Sequence, residues 1–108
     1  MKDLERSVEI SEMLRLYSGM LTPRQLQAAV LYFDNDQSLA EIAEQLSITR
    51  QSVKDSLAAS VKKLYELENA LNLQQKSVYL DKMCSEAIGR AGNNAELKKL
   101  LEQLRVML

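Results

Sequence analysis

The sequence is poor in the residues that break helices and in those that most often carry chemistry. It contains one proline, three glycines, one cysteine, and no histidine or tryptophan in 108 residues. The scarcity of helix breakers predicts an all-α protein. Without histidine or a glycine-rich phosphate loop, the sequence shows no recognisable catalytic constellation. We therefore expect no enzymatic activity, no metal site and no cofactor.

The single cysteine, Cys84, cannot form an intramolecular disulfide, which is typical of proteins in a reducing cytoplasm. It lies in an apolar stretch, which favours a small core residue over a nucleophile. The N-terminal residues lack the apolar region of a signal peptide, and no apolar run reaches the roughly 18 residues of a membrane span. These absences predict a soluble cytoplasmic protein without membrane contact.

An excess of charge of one sign is also missing. Lysine and arginine number 14 and acidic residues 15, which gives a formal net charge of −1. Nucleic-acid-binding proteins gain much of their sequence-independent affinity from basic side chains that displace counterions from phosphates. We therefore expect non-specific binding to nucleic acid to be weak.

The most informative stretch runs from Ser38 to Leu57 and reads as two short helices joined by a tight turn. The first helix has apolar residues at i, i+3, i+4 and i+7, and Ser38 with Glu41 forms a capping box at its start. Thr49 is the N-cap candidate of the second helix, which turns Val53 and Leu57 inward. Because the connection is so short, the helices must cross steeply, as in a helix-turn-helix.

The second helix of this motif would present a polar outer face. Residues in the first turn of a recognition helix usually meet base edges, where arginine pairs with guanine and glutamine with adenine. Lys54 could reach a phosphate or a guanine, whereas Asp55 would oppose the phosphate backbone. The alternative interpretation is a generic helical hairpin with a solvated second helix. The candidate nucleic-acid-binding residues of the motif are Thr49, Arg50, Gln51, Ser52 and Lys54.

Before the motif, the sequence predicts a first helix from Leu4 to Met20, with Asp3 as its cap. Gly19 near its end indicates a break. Its apolar residues recur with helical spacing, which predicts a core helix. The predicted core residues are Ile10, Met13, Leu14, Tyr17 and Leu21.

A second helix begins with a capping box of Thr22 and Gln25 and with Pro23 at its first position. Arg24 and Gln25 are exposed at this helix N-terminus, where a phosphate contact and a simple solvated turn fit the sequence equally well. The buried stripe is predicted to contain Leu26, Ala29, Val30 and Phe33. The acidic segment 34–37 lacks the glycine and glutamate of a calcium-binding loop and is interpreted as a polar turn.

The second helix of the motif shows no stop signal and is predicted to continue to about Ala70. Its apolar stripe follows alternating heptad spacings that Glu68 interrupts. This overhang would leave the stripe exposed unless the C-terminal segment or a second subunit covers it. Lys62 and Lys63 lie on its polar side as candidate phosphate contacts. The stripe consists of Leu57, Val61, Leu64 and Leu71.

The C-terminal segment is predicted to hold two more helices. The first covers residues 73–88 and is followed by a break at Gly89 and around Gly92. Asn93 with Glu96 then forms a capping box for the last helix. The apolar face of the last helix consists of Leu97, Leu100, Leu101, Leu104 and Leu108, with Met107 beside it.

A leucine face so close to a terminus seldom stays solvated. We therefore expect it to pack on the long helix of its own chain or of a partner chain, and we expect a homodimer. The predicted division is a helix-turn-helix domain over residues 1–72 and a C-terminal helical segment over residues 73–108.

Parts of this sequence resemble two related groups of bacterial proteins. The TPRQ run at residues 22–25, followed by the block from Ser38 to Leu57, resembles region 4 of bacterial sigma factors, which reads a promoter element. The runs LYSGMLTPRQ and LYFDNDQSLAEIAEQLSITRQSVKD are more closely similar to the YlxM-like (UPF0122) proteins. That resemblance extends from Leu14 to Leu71. It implies a sigma-region-4-like helix-turn-helix and an association with the signal recognition particle pathway.

One residue departs from the pattern of these proteins. The turn of the motif usually holds glycine, and this chain has Ser47 there. Glycine adopts a positive φ at no steric cost, whereas serine must accept strain or shift the turn. We expect the fold to be kept and the turn to be strained or displaced.

Two functional hypotheses follow. In the first, the protein is a dimeric DNA-binding regulator in which the motif reads bases and outlying cations hold phosphates. Those cations are Arg24, Lys62 and Lys63. In the second, the same fold is a protein- or RNA-interaction module of the signal recognition particle system. The near-neutral net charge favours the second hypothesis.

Overall fold

The computed structural model describes residues 4–107 and confirms the all-α fold, since no strand occurs among these residues. Their contacts divide the chain into two compact units, with the boundary between Leu71 and Asn72. The predicted cap Asp3 and the predicted apolar residue Leu108 lie outside the described residues. The helices are α1 (Leu4–Tyr17), α2 (Pro23–Ala29), α3 (Leu39–Leu46), α4 (Arg50–Leu71), α5 (Leu73–Arg90) and α6 (Ala95–Val106).

The first helix buries the side of its surface that the sequence predicts. Ile10, Met13, Leu14 and Tyr17 are all buried on α1. The helix ends earlier than predicted, and residues 18–20 form a 3₁₀ turn that contains the glycine at the predicted break. A tighter 3₁₀ turn is a common way for an α-helix to end.

The start of α2 has the predicted capping box. The Thr22 hydroxyl accepts a hydrogen bond from the backbone N–H of Gln25 (3.2 Å), and Gln25 Oε1 accepts one from the Thr22 N–H (3.0 Å). These bonds satisfy N–H groups that would otherwise have no partner at the helix start. Ala28 and Ala29 are the fully buried residues of this helix. The sequence predicts the burial of Ala29 correctly but does not predict that of Ala28.

A π-helical turn, Val30–Asp34, follows α2 directly. Its i→i+5 geometry is seen in the bond from the Asn35 N–H to the Val30 carbonyl (3.0 Å). Because a π turn has an extra residue, it displaces the side chains that follow from the α-helical stripe. Phe33, which the sequence predicts in the buried stripe, packs against both hydrophobic clusters of the first unit, and Tyr32 packs beside it. The sequence pattern gave no indication of this turn.

The two caps of the central motif are formed as predicted. The Ser38 hydroxyl accepts from the Glu41 N–H (3.1 Å), and the Glu41 carboxylate accepts from the Ser38 N–H (3.2 Å). At the start of α4, the Thr49 hydroxyl accepts from the Ser52 N–H (3.0 Å). Each cap of this type contributes about 1 kcal/mol to helix stability.

The turn between α3 and α4 keeps its position, with Ser47 in the left-handed conformation (φ 56°, ψ 45°). Ser47 N–H donates to the carbonyl of Glu44 (3.3 Å), and Ile48 N–H donates to that of Ala43 (3.0 Å). This pair of bonds is a Schellman motif. The turn is therefore not displaced, and Ser47 accepts the strained conformation. The predicted alternative, a displaced turn, is wrong. For a residue with a Cβ, this conformation costs roughly 1 kcal/mol.

Small residues mark the place where α2 crosses α4. Ser60 is fully buried in α4, donates a hydrogen bond to the Ser56 carbonyl (2.7 Å), and lies 3.3 Å from the Gln25 carbonyl of α2. A small side chain at Ser60 lets the α2 backbone come this close, and α2 itself has two fully buried alanines, Ala28 and Ala29. The sequence pattern alone did not identify Ser60 as a buried residue.

The apolar stripe of α4 is covered within the first unit, contrary to the prediction that it would stay exposed without the C-terminal segment or a second subunit. Leu57 and Leu64 are buried, because α1 and α2 pack against this side of α4. Glu68, which interrupts the heptad spacing, accepts a hydrogen bond from the buried Tyr17 hydroxyl (2.7 Å). Only Leu71, at the end of the helix, remains exposed, at 46%.

The second unit is a hairpin of α5 and α6. The predicted break at Gly89 is wrong, because one glycine costs a helix only about 1 kcal/mol and α5 continues through it. The chain turns instead at Gly92, which has a positive φ of 60°. The N-cap of α6 is Asn94, which accepts from the Leu97 N–H (3.0 Å). The helix cap is therefore one residue later than predicted, and the predicted capping box of Asn93 and Glu96 is wrong, because the third residue after Asn94 is Leu97, whose side chain cannot accept the reciprocal hydrogen bond.

The leucine face of α6 is only partly buried in this hairpin. Leu97, Leu100 and Leu104 are between 42% and 59% exposed. Cys84 is buried in this unit, as the sequence predicts for a small core residue. Between residues 4 and 107, no helix has the length and apolar character that crossing a bilayer requires.

Candidate nucleic-acid interface

The first two turns of α4 present a defined polar surface. Thr49 fixes the helix start through Ser52, both by its cap bond and by donating its hydroxyl proton to Ser52 Oγ (2.9 Å). Val53 and Leu57 are buried, and this fixes the rotation of the helix about its axis. The side chains left on the outer surface are Arg50, Gln51, Ser52, Lys54 and Asp55.

Residues spaced four apart along a helix lie above one another, so the outer surface of α4 consists of two neighbouring stripes. Between residues 50 and 63, the first stripe carries three cations and no acid, and Glu66 follows one turn later, whereas the second stripe carries one cation and one carboxylate. Positive charge is therefore concentrated on the first stripe. The first stripe is Arg50, Lys54, Ala58 and Lys62, and the second is Gln51, Asp55, Ala59 and Lys63.

Gln51 and Asp55 contact each other on the second stripe. Gln51 Nε2 donates a hydrogen bond to Asp55 Oδ1 (2.9 Å). Pairing of glutamine with adenine uses both polar atoms of its amide, so Gln51 must first release Asp55. Arg50 forms no ion pair within residues 4–107 and is the readier of the two side chains to bind a base.

The structure brings together some of the predicted phosphate contacts. Gln25 at the start of α2 and Lys62 and Lys63 on α4 line one shallow cleft, which Glu66 also borders. Lys62 lies about 18 Å along the helix from Arg50, given a rise of about 1.5 Å per residue. Arg24 is exposed on α2 but does not line the cleft.

A larger groove, of about 580 Å³, lies on the other side of α4, between α1, the π turn and α3. Its charged lining residues are all basic: Arg6, Lys54 and Lys62. The predicted site therefore shares two cations with a cavity that sequence reasoning missed. One signal in the sequence could have drawn attention to this groove: residues 28–33, just before the acidic turn, are all apolar. The apolar lining residues are Tyr32, Phe33, Leu39, Leu57, Ala58 and Val61.

Comparison with known proteins identifies the family. The model of the UPF0122 family, described as "Putative helix-turn-helix protein, YlxM / p13 like", matches residues 4–104. The chain is 33% identical over 105 residues to a UPF0122 protein of Mycoplasma capricolum subsp. capricolum, covering 97% of this chain and 90% of that protein. It is 44% identical over 79 residues to a UPF0122 protein of Clostridium botulinum, covering 73% and 72%.

A UPF0122 protein of Anoxybacillus flavithermus is 32% identical over 105 residues, covering 94% of this chain and 96% of that protein. The family description names a helix-turn-helix and no enzymatic activity. The motif from Ser38 to Leu57 thus has the same interpretation in the sequence, in the structure and in the family description. The chain belongs to the UPF0122 family of YlxM/p13-like helix-turn-helix proteins.

Proposed function

We propose that this protein is a cytoplasmic DNA-binding regulator that places the first turn of α4 in the major groove. The observation that carries the proposal is the outer stripe of α4, where Arg50 and Lys54 project from a helix whose start is capped and whose rotation is fixed by buried residues. Membership of a helix-turn-helix family supports the same use of this helix.

Each side chain of the surface has a role that its chemistry suits. Arg50 would pair bidentately with guanine, and Lys54 would bind a guanine or a nearby phosphate. The Ser52 hydroxyl accepts from Thr49 and can still donate its own proton to a base or a phosphate. Gln51 would read adenine after exchanging its bond to Asp55 for bonds to the base.

Phosphate contacts would come from cations around this surface. Arg24 on α2 and Lys62 and Lys63 on α4 are all exposed. Their contribution would be independent of sequence, and the total number of such contacts would set the slope of affinity against salt concentration. With a net charge of only −1, we expect the binding that is independent of sequence to be weak.

The active form would be a dimer joined through the second unit. Three leucines of the α6 face are between 42% and 59% exposed, and α5 also exposes Val78 and Tyr79. A second copy covering this face would hold two recognition helices on one DNA duplex. In helix-turn-helix dimers, the half-sites are about 34 Å, or one helical turn, apart.

The test is a selection of bound oligonucleotides from a random DNA pool, at about 50 mM and 200 mM salt. We expect an enriched motif with two related half-sites, and we expect Arg50→Ala to erase the preference at one position in each half. Lys63→Ala should instead weaken all sequences alike. The absence of any enriched motif for the parent protein, at either salt concentration, would contradict the proposal.

A second candidate function rests on the same exposed leucine face and on the low net charge. In this case, the protein would bind a protein or RNA component of the signal recognition particle, without reading DNA sequence. Pull-downs with the purified particle protein and its RNA separate the two candidates. Binding that Leu104→Glu abolishes and Arg50→Ala leaves intact would favour this alternative.

A further inference from the structure

The composition of the groove beside α4 is not explained by the proposed DNA binding. Its floor is apolar and its charged lining residues are all basic, on a chain with a net negative charge. A phosphate backbone pairs with cations but has no use for an apolar floor of leucine, valine and alanine. An amphipathic helix uses both features, because one side of it is apolar and the other can carry carboxylates.

We infer that this groove binds an amphipathic helix of a partner protein whose polar face is acidic. The apolar residues of that helix would rest on Leu39, Leu57 and Val61. Its carboxylates would pair with Lys54 and Lys62, which lie two helical turns apart on the rim. The volume of about 580 Å³ is in the range of protein ligand cavities.

Two packed aromatic side chains form one wall of the groove. Tyr32 and Phe33 meet edge to face, with ring centroids 4.9 Å apart and ring planes at 85°. Phe33 is also held by both hydrophobic clusters, and the π turn fixes the backbone that carries the two rings. Such pre-ordered aromatic side chains bind a partner with little loss of conformational entropy. Aromatic residues also often dominate the binding energy of protein interfaces.

A second copy of this chain does not fit the groove well. The leucine face of α6 is exposed, but its helix carries three basic and two acidic residues and would be repelled by Lys54 and Lys62. The acidic helix α1 has its apolar side already buried in the core. Charge complementarity therefore favours a different, acidic partner.

Because Lys54 also belongs to the proposed DNA surface, an occupied groove would hide it from DNA. That consequence rests on the proposed function, whereas the docking itself does not.

The test measures peptide binding to the full chain in the absence of DNA, by fluorescence anisotropy. The probe is a helical peptide of about 16 residues, with leucine at i, i+3, i+4 and i+7 and glutamate on the remaining face. Two control peptides are used: a scrambled sequence without the leucine stripe, and a version with lysine in place of glutamate. We expect a Kd below about 100 μM for the acidic peptide and at least tenfold weaker binding of both controls.

Two pairs of neighbouring residues locate the peptide. Ala58 lines the groove and Ala59 does not, although both are exposed in the middle of α4. We expect Ala58→Glu to weaken binding at least tenfold and Ala59→Glu to leave it within twofold of the parent. Lys62→Gln and Lys63→Gln form a second pair, in which we expect Lys62→Gln to weaken peptide binding and Lys63→Gln to leave it near the parent value. Circular dichroism checks that all four variants fold. Equal effects within each pair, or no peptide binding at about 1 mM, would overturn the inference.

Discussion

The two units of this chain are both helical, yet they differ in what they do with their apolar residues. The first unit, which ends at Leu71, contains all the buried apolar side chains of the described residues except Cys84. The second unit exposes large apolar residues on both α5 and α6. A unit of fewer than about 40 residues seldom buries enough surface to be stable without a partner. The difference indicates that the first unit is stabilised by its own core, whereas the second unit is suited to be covered by another molecule.

The largest expected effect comes from the core of the first unit. Ile42→Ala removes a fully buried side chain between α3 and α4 and should lower the free energy of unfolding by about 2 to 5 kcal/mol. Leu104→Ala, the matched change on the exposed face of α6, should cost less than about 0.5 kcal/mol at protein concentrations where the chain is monomeric. Urea denaturation measures both values. Similar losses in the two variants would refute the contrast between the units.

The second prediction concerns the leucine face itself. Leu104→Glu places a charge on the proposed contact with a second copy and should raise the dimer dissociation constant at least tenfold, or about 1.4 kcal/mol. Gln103→Glu adds the same charge at the neighbouring exposed position and should leave self-association near the parent value. Analytical ultracentrifugation gives both constants. If the parent is monomeric at every concentration, the proposed dimer is wrong.

The third prediction concerns two left-handed residues, one in each unit. Ser47→Gly should raise the free energy of unfolding by about 1 kcal/mol, because glycine adopts a φ near 56° without a steric penalty. Asn72 has a similar φ of 54°, but asparagine tolerates this conformation better than serine. Asn72→Gly should therefore give a smaller gain. Thermal unfolding of both variants tests this order, and the absence of a gain in Ser47→Gly would show that Ser47 is not strained.

The smallest effect is expected for the ion pair between α5 and α6. Arg105 Nε lies 2.8 Å from Asp81 Oδ1, and both side chains are about half exposed. The hydrogen bond to Asp81, together with the negative charge of that carboxylate, raises the pKa of Arg105 above its ordinary value. Exposed ion pairs contribute little and are screened by salt. Amide exchange in α6 should rise by less than about twofold in Arg105→Ala, and a much larger rise would mean that this pair holds the hairpin together.

Local signals made much of the first unit predictable from the sequence. The capping boxes of Thr22 and Ser38 each depend on two residues three positions apart, and both are formed. The buried stripe of α1 follows directly from helical periodicity. Such features need no knowledge of tertiary contacts, so the sequence alone is sufficient to predict them.

The features that the sequence did not reveal depend on residues far apart in the chain. The bond from Tyr17 to Glu68 gives a role to an acid that seemed only to interrupt an apolar stripe. The buried Ser60 makes sense only once α2 is seen to cross α4. The groove beside α4 requires the π turn at Tyr32 and Phe33, which no local pattern indicated. The surface residues of α4 were correctly placed outside, but what they bind stays a prediction.

The most direct test of the central claim, that Arg50 reads a guanine from the first turn of α4, is a guanine substitution scan. In the selected DNA site, each guanine is replaced in turn by 7-deazaguanine, which lacks the N7 acceptor that arginine uses. For the parent protein, this replacement should cost about 1 to 3 kcal/mol of binding free energy at one guanine per half-site. For Arg50→Ala, replacing the same guanine should cause no further loss of binding free energy. An equal loss at that guanine in the parent and in Arg50→Ala would contradict the assignment.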